Sequence, residues 1–211
     1  MTLRWSELIG LFLLLPLLVI FAIQNHARWL MPLLVSVGLL CLTLLLTDKQ
    51  FKRKRLWRTK GCWQHIKSTL WFFVPLASLL CVLLYLFSPN LWLDLPTKHP
   101  QLWLTTLLIY PLISVLPQEL IFRTFFFHRY KPILPDKRHR WWLSSVLFGL
   151  AHMVYGNWLA VIGSGLAGFL FGYRYMQSKS TLVVAIEHTL WGSFIFTVGL
   201  GAFFLSSMQN Q

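Results

Sequence analysis

The stretch LWLTTLLIYPLISVLPQELIFRTFFFHRY, residues 102–130, has an uncharged apolar run followed by a glutamate and an arginine four residues apart. The apolar run approaches the length that crosses a bilayer, about 20 residues. Within a membrane span, a charged side chain costs a few kcal/mol or more, so it usually faces the interior of a helical bundle. Glu119 and Arg123 are therefore expected to mark a polar site inside a membrane protein.

The composition of the whole chain supports a membrane protein. Of its 211 residues, 56% are hydrophobic and only 12% are charged, whereas a soluble domain carries about 25% charged residues. Because a backbone exposed to lipid must satisfy its own hydrogen bonds, the apolar runs predict helices. We expect an all-α, polytopic membrane bundle of about seven transmembrane helices, at residues 3–23, 29–47, 69–88, 102–127, 141–153, 157–173 and 181–206.

The net charge of +13 is unevenly distributed along the chain. Most basic residues lie in three loops that fall on the same side of the alternating topology, at 48–60, 128–140 and 174–179. The positive-inside rule then predicts a cytoplasmic N-terminus and an outside C-terminus. Basic loops of this kind suit anionic lipid head groups, and their distribution argues against a nucleic-acid partner.

The same pattern suggests two parts. Residues 1–60 form an N-terminal pair of transmembrane helices with a basic cytoplasmic loop, and residues 61–211 form the rest of the bundle, with every candidate site residue between 102 and 206.

Five charged or histidine residues lie well inside the predicted spans: Glu119, Arg123, His152, Glu187 and His188. Counting about 1.5 Å of rise per residue places Glu119 and His152 roughly 16 Å from the loop that joins their helices. His188 falls roughly 10 Å from the same side, so three helices can bring these residues into one layer. Glu187 points to another face, and Arg123 can pair with Glu119 one turn away. Taken singly, each residue also fits a structural ion pair or a packed core histidine.

Pro117 precedes the pair Gln118 and Glu119. Proline lacks an N–H and disrupts the preceding turn, so we expect a broken helix with carbonyls left free near Ile113 and Ser114. Gln118 and Glu119 would then open the next helical segment, where the helix dipole favours a carboxylate.

Three short motifs occur in order in the C-terminal half: QELIFR at 118–123, FGLAH at 148–152 and HTLWG at 188–192. They resemble the three motifs of the CPBP/Abi family of intramembrane proteases, which includes CAAX-processing and bacteriocin-processing members. The resemblance implies hydrolysis of peptide bonds in membrane-embedded or lipidated substrates, without a covalent intermediate. It also implies an integral protein of the bacterial cytoplasmic membrane.

The resemblance also implies roles for individual residues. Glu119 and His152 would activate water, His188 would face the oxyanion, and Arg123 would hold the carboxylate, with Phe148 opening the second motif. Two positions depart from the family pattern: Gln118 replaces the first glutamate of a pair, and Gly192 stands where many relatives carry asparagine. Either Glu119 has taken over the role of base, or the protein has weak or no protease activity.

Other functions stay open at this point. A catalytically inactive membrane scaffold or immunity protein fits Gln118 and Gly192, and a proton-coupled transporter fits intramembrane glutamate and histidine. We expect no cofactor. Two histidines and a carboxylate could hold zinc, but no spacing in the sequence is typical of a metal site, and Arg123 beside Glu119 disfavours a divalent cation.

Overall fold

The computed structural model describes residues 2–23 and 27–204, and within them it contains helices and no strand. The prediction of an all-α membrane bundle is therefore confirmed. The helices are α1 Thr2–Ala22, α2 Leu30–Thr47, α3 Cys62–Phe87, α4 Asp94–Lys98, α5 Pro100–Arg129, α6 Lys137–Ala151, α7 Trp158–Ser178 and α8 Thr181–Val198. The C-terminus and the predicted end of the last span, at 206, lie outside the described residues.

Six of these helices are long and apolar enough to cross a membrane: α1, α2, α3, α5, α7 and α8. The predicted span at 141–153 corresponds to α6, which has 15 residues. It begins earlier than predicted because the Asp136 side chain accepts a hydrogen bond from the Arg138 N–H and caps the helix. At about 1.5 Å per residue, α6 is shorter than the hydrocarbon core of a bilayer.

Helix α5 passes Pro117 without the expected break. It runs continuously from Pro100 to Arg129 and contains two π-helical segments, Pro111–Val115 and Leu120–Phe125. A π-helical turn accommodates an extra residue, which lets the helix absorb the missing proline N–H without ending. Helix α2 crosses α5 here, since a Cβ on Gly38 would lie 3.0 Å from the Cβ of Pro117.

One buried apolar cluster joins the N-terminal helices to the motif-bearing half. Phe12 of α1 packs edge-on against Phe122 and Phe126 of α5, at ring-centroid distances of 5.4 and 5.1 Å. Cys41 and Leu45 of α2 belong to the same cluster. The division at residue 60 stays a prediction, but the core draws on both sides of it.

Helices α6 and α7 pack unusually closely. Ser164, Gly168 and Gly172 are spaced by four residues, which predicts close approach by another helix. In the structure, a Cβ on Gly168 would lie 3.0 Å from the Ser145 carbonyl oxygen, and Gly149 of α6 faces Gly165 of α7 backbone to backbone. This contact fixes the position of α6, which carries the second motif.

The end of the bundle that carries the basic loops is held by polar contacts. Arg129 donates to Glu7 at 2.9 and 2.6 Å, linking the end of α5 to α1. The His128 ring bonds Asp48 at 2.8 Å, and this hydrogen bond holds the pKa of Asp48 below its usual value. These contacts set the depth of α5 relative to α1 and α2.

Candidate active site

Glu119 and His188 are in direct contact at the centre of the bundle. The Oε1 atom of Glu119 lies 2.7 Å from Nδ1 of His188, and the glutamate is fully buried. Because a carboxylate accepts, Nδ1 carries the hydrogen and donates it. The ring of His188 also stacks on Phe171, with centroids 4.4 Å apart and planes 22° apart. Nδ1 is thus committed to Glu119, and Nε2 is the ring nitrogen left for chemistry.

Arg123 holds the other side of the same carboxylate. Its Nε lies 3.4 Å from Oε2 of Glu119, and both side chains are completely buried. Nη1 donates to the Ser144 hydroxyl at 2.6 Å, and that hydroxyl donates in turn to the Phe122 carbonyl at 2.7 Å. The guanidinium sits over the Phe148 ring at 4.9 Å. Glu119 is therefore enclosed by a cation on one side and an imidazole on the other.

His152 occupies a different position, next to the same core. It lies at the junction where α6 passes into a 3-10 turn, His152–Tyr155. Its Nδ1 lies 2.7 Å from the carbonyl oxygen of Phe148. A carbonyl can only accept, so Nδ1 carries the hydrogen and Nε2 carries a lone pair. The Phe148 ring contacts both histidines, with its centroid 4.7 Å from that of His152 and 5.8 Å from that of His188.

Gln118 and His152 line one pocket of about 80 Å³. The remaining lining is mainly apolar and comes partly from α2: Leu30, Met31, Leu34, Phe122, Ala151, Val154 and Tyr155. Gln118 donates from Nε2 to the Ser114 hydroxyl at 2.7 Å, and its Oε1 is buried without a partner among the described residues. Leaving such an atom unpaired costs about 1–3 kcal/mol, which makes it a natural anchor for water or substrate.

The pocket is lined by Gln118, at the position where the family pattern has its first glutamate. The second glutamate of the pattern, Glu119, faces away from the pocket. Glu119 does not line this pocket. Its oxygens are turned towards His188 and Arg123. The expected grouping is thus resolved into two adjacent parts: a Glu119–His188–Arg123 cluster and a pocket with Gln118 and His152.

Glu187 lies outside both parts, as its position in the helix predicts. It forms a buried pair with Arg174 of α7, with Nε–Oε2 and Nη2–Oε1 distances of 2.8 and 3.2 Å. Arg174 was expected in a basic loop, but α7 continues to Ser178 and buries it. This pair joins α7 to α8 and has no contact with the pocket that holds Gln118 and His152.

Gly192 lies one turn beyond His188, and Tyr110 fills the space beside it. A Cβ at position 192 would lie 2.5 Å from Cε1 and 2.6 Å from Cζ of Tyr110, and closer still to the hydroxyl. The Tyr110 ring also meets the His188 ring edge-on, at a centroid distance of 6.1 Å. Glycine is therefore required at 192 for the tyrosine to occupy this place.

Sequence reasoning passed over several residues that complete the site. Ser144 lies four residues before Phe148 and eight before His152, so helical spacing could have placed it on the same face of α6. Tyr110, Ser114 and Gln118 are likewise spaced by four. No sequence signal marks Phe171, whose contact with His188 depends on how α7 packs.

The sequence left zinc binding by two histidines and a carboxylate as an open alternative. Among residues 2–23 and 27–204, no three His, Cys, Asp or Glu side chains are grouped so that they could hold an ion. Glu119 and His188 are bonded to each other, while His152 bonds a backbone carbonyl.

The fold defines an integral membrane protein with a buried polar cluster among its helices. Residues 100–194 match the family described as type II CAAX prenyl endopeptidase Rce1-like, which is the CPBP/Abi family that the three motifs predicted. No curated protein and no solved structure matches the chain. The match covers α5 to most of α8 and leaves α1 to α4 outside it.

Proposed function

We propose that the protein is an intramembrane endopeptidase that hydrolyses a peptide bond of a membrane-embedded or lipidated substrate with an activated water. The family match supports endopeptidase activity in general. One observation supports the chemistry. His152, with its Nε2 lone pair, and Gln118, with its unpaired amide oxygen, line the same small pocket beside the Glu119–His188 pair.

His152 is the general base in this proposal. A water held by the Gln118 amide gives a proton to Nε2 of His152 while its oxygen attacks the substrate carbonyl. The resulting tetrahedral intermediate collapses when the protonated imidazole returns that proton to the leaving nitrogen, and the carbon–nitrogen bond breaks. General base catalysis of this kind contributes about 10²–10⁴-fold, and the hydrogen bond to the Phe148 carbonyl fixes the tautomer it needs.

In this proposal His188 stabilises the developing oxyanion by donating a hydrogen bond. When both ring nitrogens carry hydrogen, Nδ1–H donates to Glu119 and Nε2–H is left to donate to the substrate. The carboxylate compensates the positive charge of that ring, and Arg123 keeps the carboxylate in place. A fixed donor gains strength where water is scarce. Glu119 is thus a positioning residue, because it does not line the pocket and its Oε1 accepts the hydrogen bond from His188.

The setting of this reaction follows from the charge pattern. We propose that the basic loops at 48–60 and 128–140 face the cytoplasm and contact anionic head groups, in the cytoplasmic membrane of a bacterium. The N-terminus would then be cytoplasmic and the C-terminus outside.

A second candidate is a membrane scaffold that has kept the cavity and lost the chemistry. The observation that favours it is that no carboxylate lines the pocket, where Gln118 stands instead. A scaffold would bind its partner without producing peptides, so product formation separates the two.

The test compares wild type with His152→Ala and Glu119→Ala, purified in detergent and reconstituted with a farnesylated CAAX peptide, alongside mass spectrometry of peptides from cell membranes. His128→Ala is the matched control, since His128 bonds Asp48 at the basic end of the bundle. We expect peptides with wild type and the control and none with the other two. Equal peptide patterns in all four samples would favour the scaffold. A chelator in a parallel wild-type sample tests whether a metal is needed.

A further inference from the structure

Tyr110 contributes a hydroxyl group that no motif accounts for. It lies on α5 at the start of the first π-helical segment, two turns before Gln118 on a face that also includes Ser114. Its hydroxyl packs against Gly192, and its ring meets the rings of His188 and Phe196 edge-on, at 6.1 and 5.2 Å. The hydroxyl is therefore on the side of α8 that carries His188.

The Tyr110 hydroxyl has an unused hydrogen. The residue is only partly buried, and among the described residues none forms a hydrogen bond with this hydroxyl. Other hydroxyls near the site are engaged, as Ser144 bonds Arg123 and Ser114 accepts from Gln118. A tyrosine hydroxyl at the edge of a core usually finds a partner, so its lack of one indicates a place for a ligand oxygen.

Gly192 explains why the hydroxyl is there. Residues four apart lie on the same face of a helix, so position 192 sits directly beyond His188. Any side chain at 192 would push Tyr110 away, because even a Cβ would overlap the ring and hydroxyl. Helix α8 thus offers a gap beside His188, and α5 fills it with a hydrogen-bond donor.

We propose that the Tyr110 hydroxyl is a second oxyanion donor, which binds the substrate carbonyl oxygen together with His188. This inference rests on the proposed peptidase function. The ligand group is a carbonyl oxygen that becomes negatively charged when water attacks, and the tyrosine donates one hydrogen bond to it without giving up its proton. Removing one such donor in other hydrolases costs about 10²–10³-fold in kcat.

The test uses two readouts on the full-length protein in detergent. The first is kcat and KM for cleavage of the farnesylated peptide. The second is the affinity for the corresponding peptide trifluoromethyl ketone, measured by ¹⁹F NMR, because its hydrate imitates the tetrahedral intermediate and needs no turnover. For Tyr110→Phe we expect kcat to fall about 10²–10³-fold, with KM nearly unchanged. The ketone should bind more weakly by a similar factor, while the uncleaved amide analogue binds as before.

Two further variants make the result specific. Tyr85→Phe removes a hydroxyl from an exposed tyrosine on α3 and should change neither readout. Tyr110→Ala combined with Gly192→Asn empties the space and returns a donor from α8, so it should recover part of the activity that Tyr110→Ala alone loses. An equal recovery in Tyr110→Ala/Gly192→Leu, which fills the space without a donor, would show that Tyr110 acts only in packing.

The outcomes separate the two proposals. Cleavage by wild type with unchanged kcat and ketone affinity in Tyr110→Phe would overturn the role of Tyr110 and leave the peptidase intact. Ketone binding that depends on Tyr110, without any cleavage by wild type, would support the donor and count against the peptidase. A wild type that neither cleaves nor binds the ketone would overturn both.

Discussion

Glu119 bonds His188 at 2.7 Å across two helices, and Arg123 lies 3.4 Å from the other oxygen of the same carboxylate. The only acid of the first motif is thus used to orient an imidazole, and it is shielded from the pocket in which water could be held. In the proposed mechanism, His152 is therefore the base and Glu119 has an electrostatic role.

Glu119→Gln tests that task. The amide keeps the size of the side chain but loses the charge that accompanies a doubly protonated His188. We expect kcat to fall about 10²–10⁴-fold, the range for loss of a positioned acid–base partner, while KM changes little. The measurement is cleavage of the farnesylated peptide followed by chromatography. Activity close to that of wild type would show that the charge of Glu119 has no part in the reaction.

Ser144→Ala tests the support behind Arg123. The hydroxyl accepts from Arg123 at 2.6 Å and donates to the Phe122 carbonyl at 2.7 Å. Its loss leaves buried polar groups unpaired, which costs about 1–3 kcal/mol of folding stability. Because Arg123 then holds Glu119 less firmly, kcat should also fall.

Ser145→Ala is the matched control for that change. Ser145 is equally buried, but its hydroxyl bonds the Trp141 carbonyl within its own helix. Thermal unfolding in detergent and kcat are measured for both variants. Equal losses of stability and kcat in the two variants would show that Ser144 has no specific role in the site.

Glu187→Ala should lower the free energy of unfolding and leave kcat unchanged. The change leaves Arg174 buried without its partner, and breaking a buried pair in this way costs about 3–5 kcal/mol. Neither residue lines the pocket, so the kcat of the folded fraction should match wild type. The double variant Arg174→Leu/Glu187→Leu should regain much of the stability, because no uncompensated charge remains. A loss of kcat per folded molecule would place Glu187 in the site.

Counting residues along helices placed Glu119, His152 and His188 at a similar depth, because depth depends only on rise per residue. In the structure Glu119 bonds His188, whereas His152 bonds the Phe148 carbonyl. Rotation about the helix axis was harder to predict. Two π-helical segments in α5 change which side chains face α8, and nothing in the sequence announces them apart from the prolines at 111 and 117. Arg174 was misplaced for a related reason: its pairing with Glu187 depends on how α7 and α8 pack.

Gln118→Glu tests whether the replacement of the first family glutamate by glutamine has lowered the catalytic rate. The side chain at 118 lines the same pocket as His152, so a carboxylate there could accept a proton from water and support the imidazole. We expect kcat to rise about 10-fold or more, within the range that a positioned base contributes, and the same prenylated substrate should be cut at the same bond.

Gln118→Ala is the comparison that removes the amide without adding a base, and it should lower kcat because the water loses its anchor. A wild type without activity and an active Gln118→Glu would assign the natural protein to the scaffold class. Unchanged rates in both variants would mean that position 118 does not contact the attacking water, and the pocket lined by Gln118 and His152 would then not be where hydrolysis occurs.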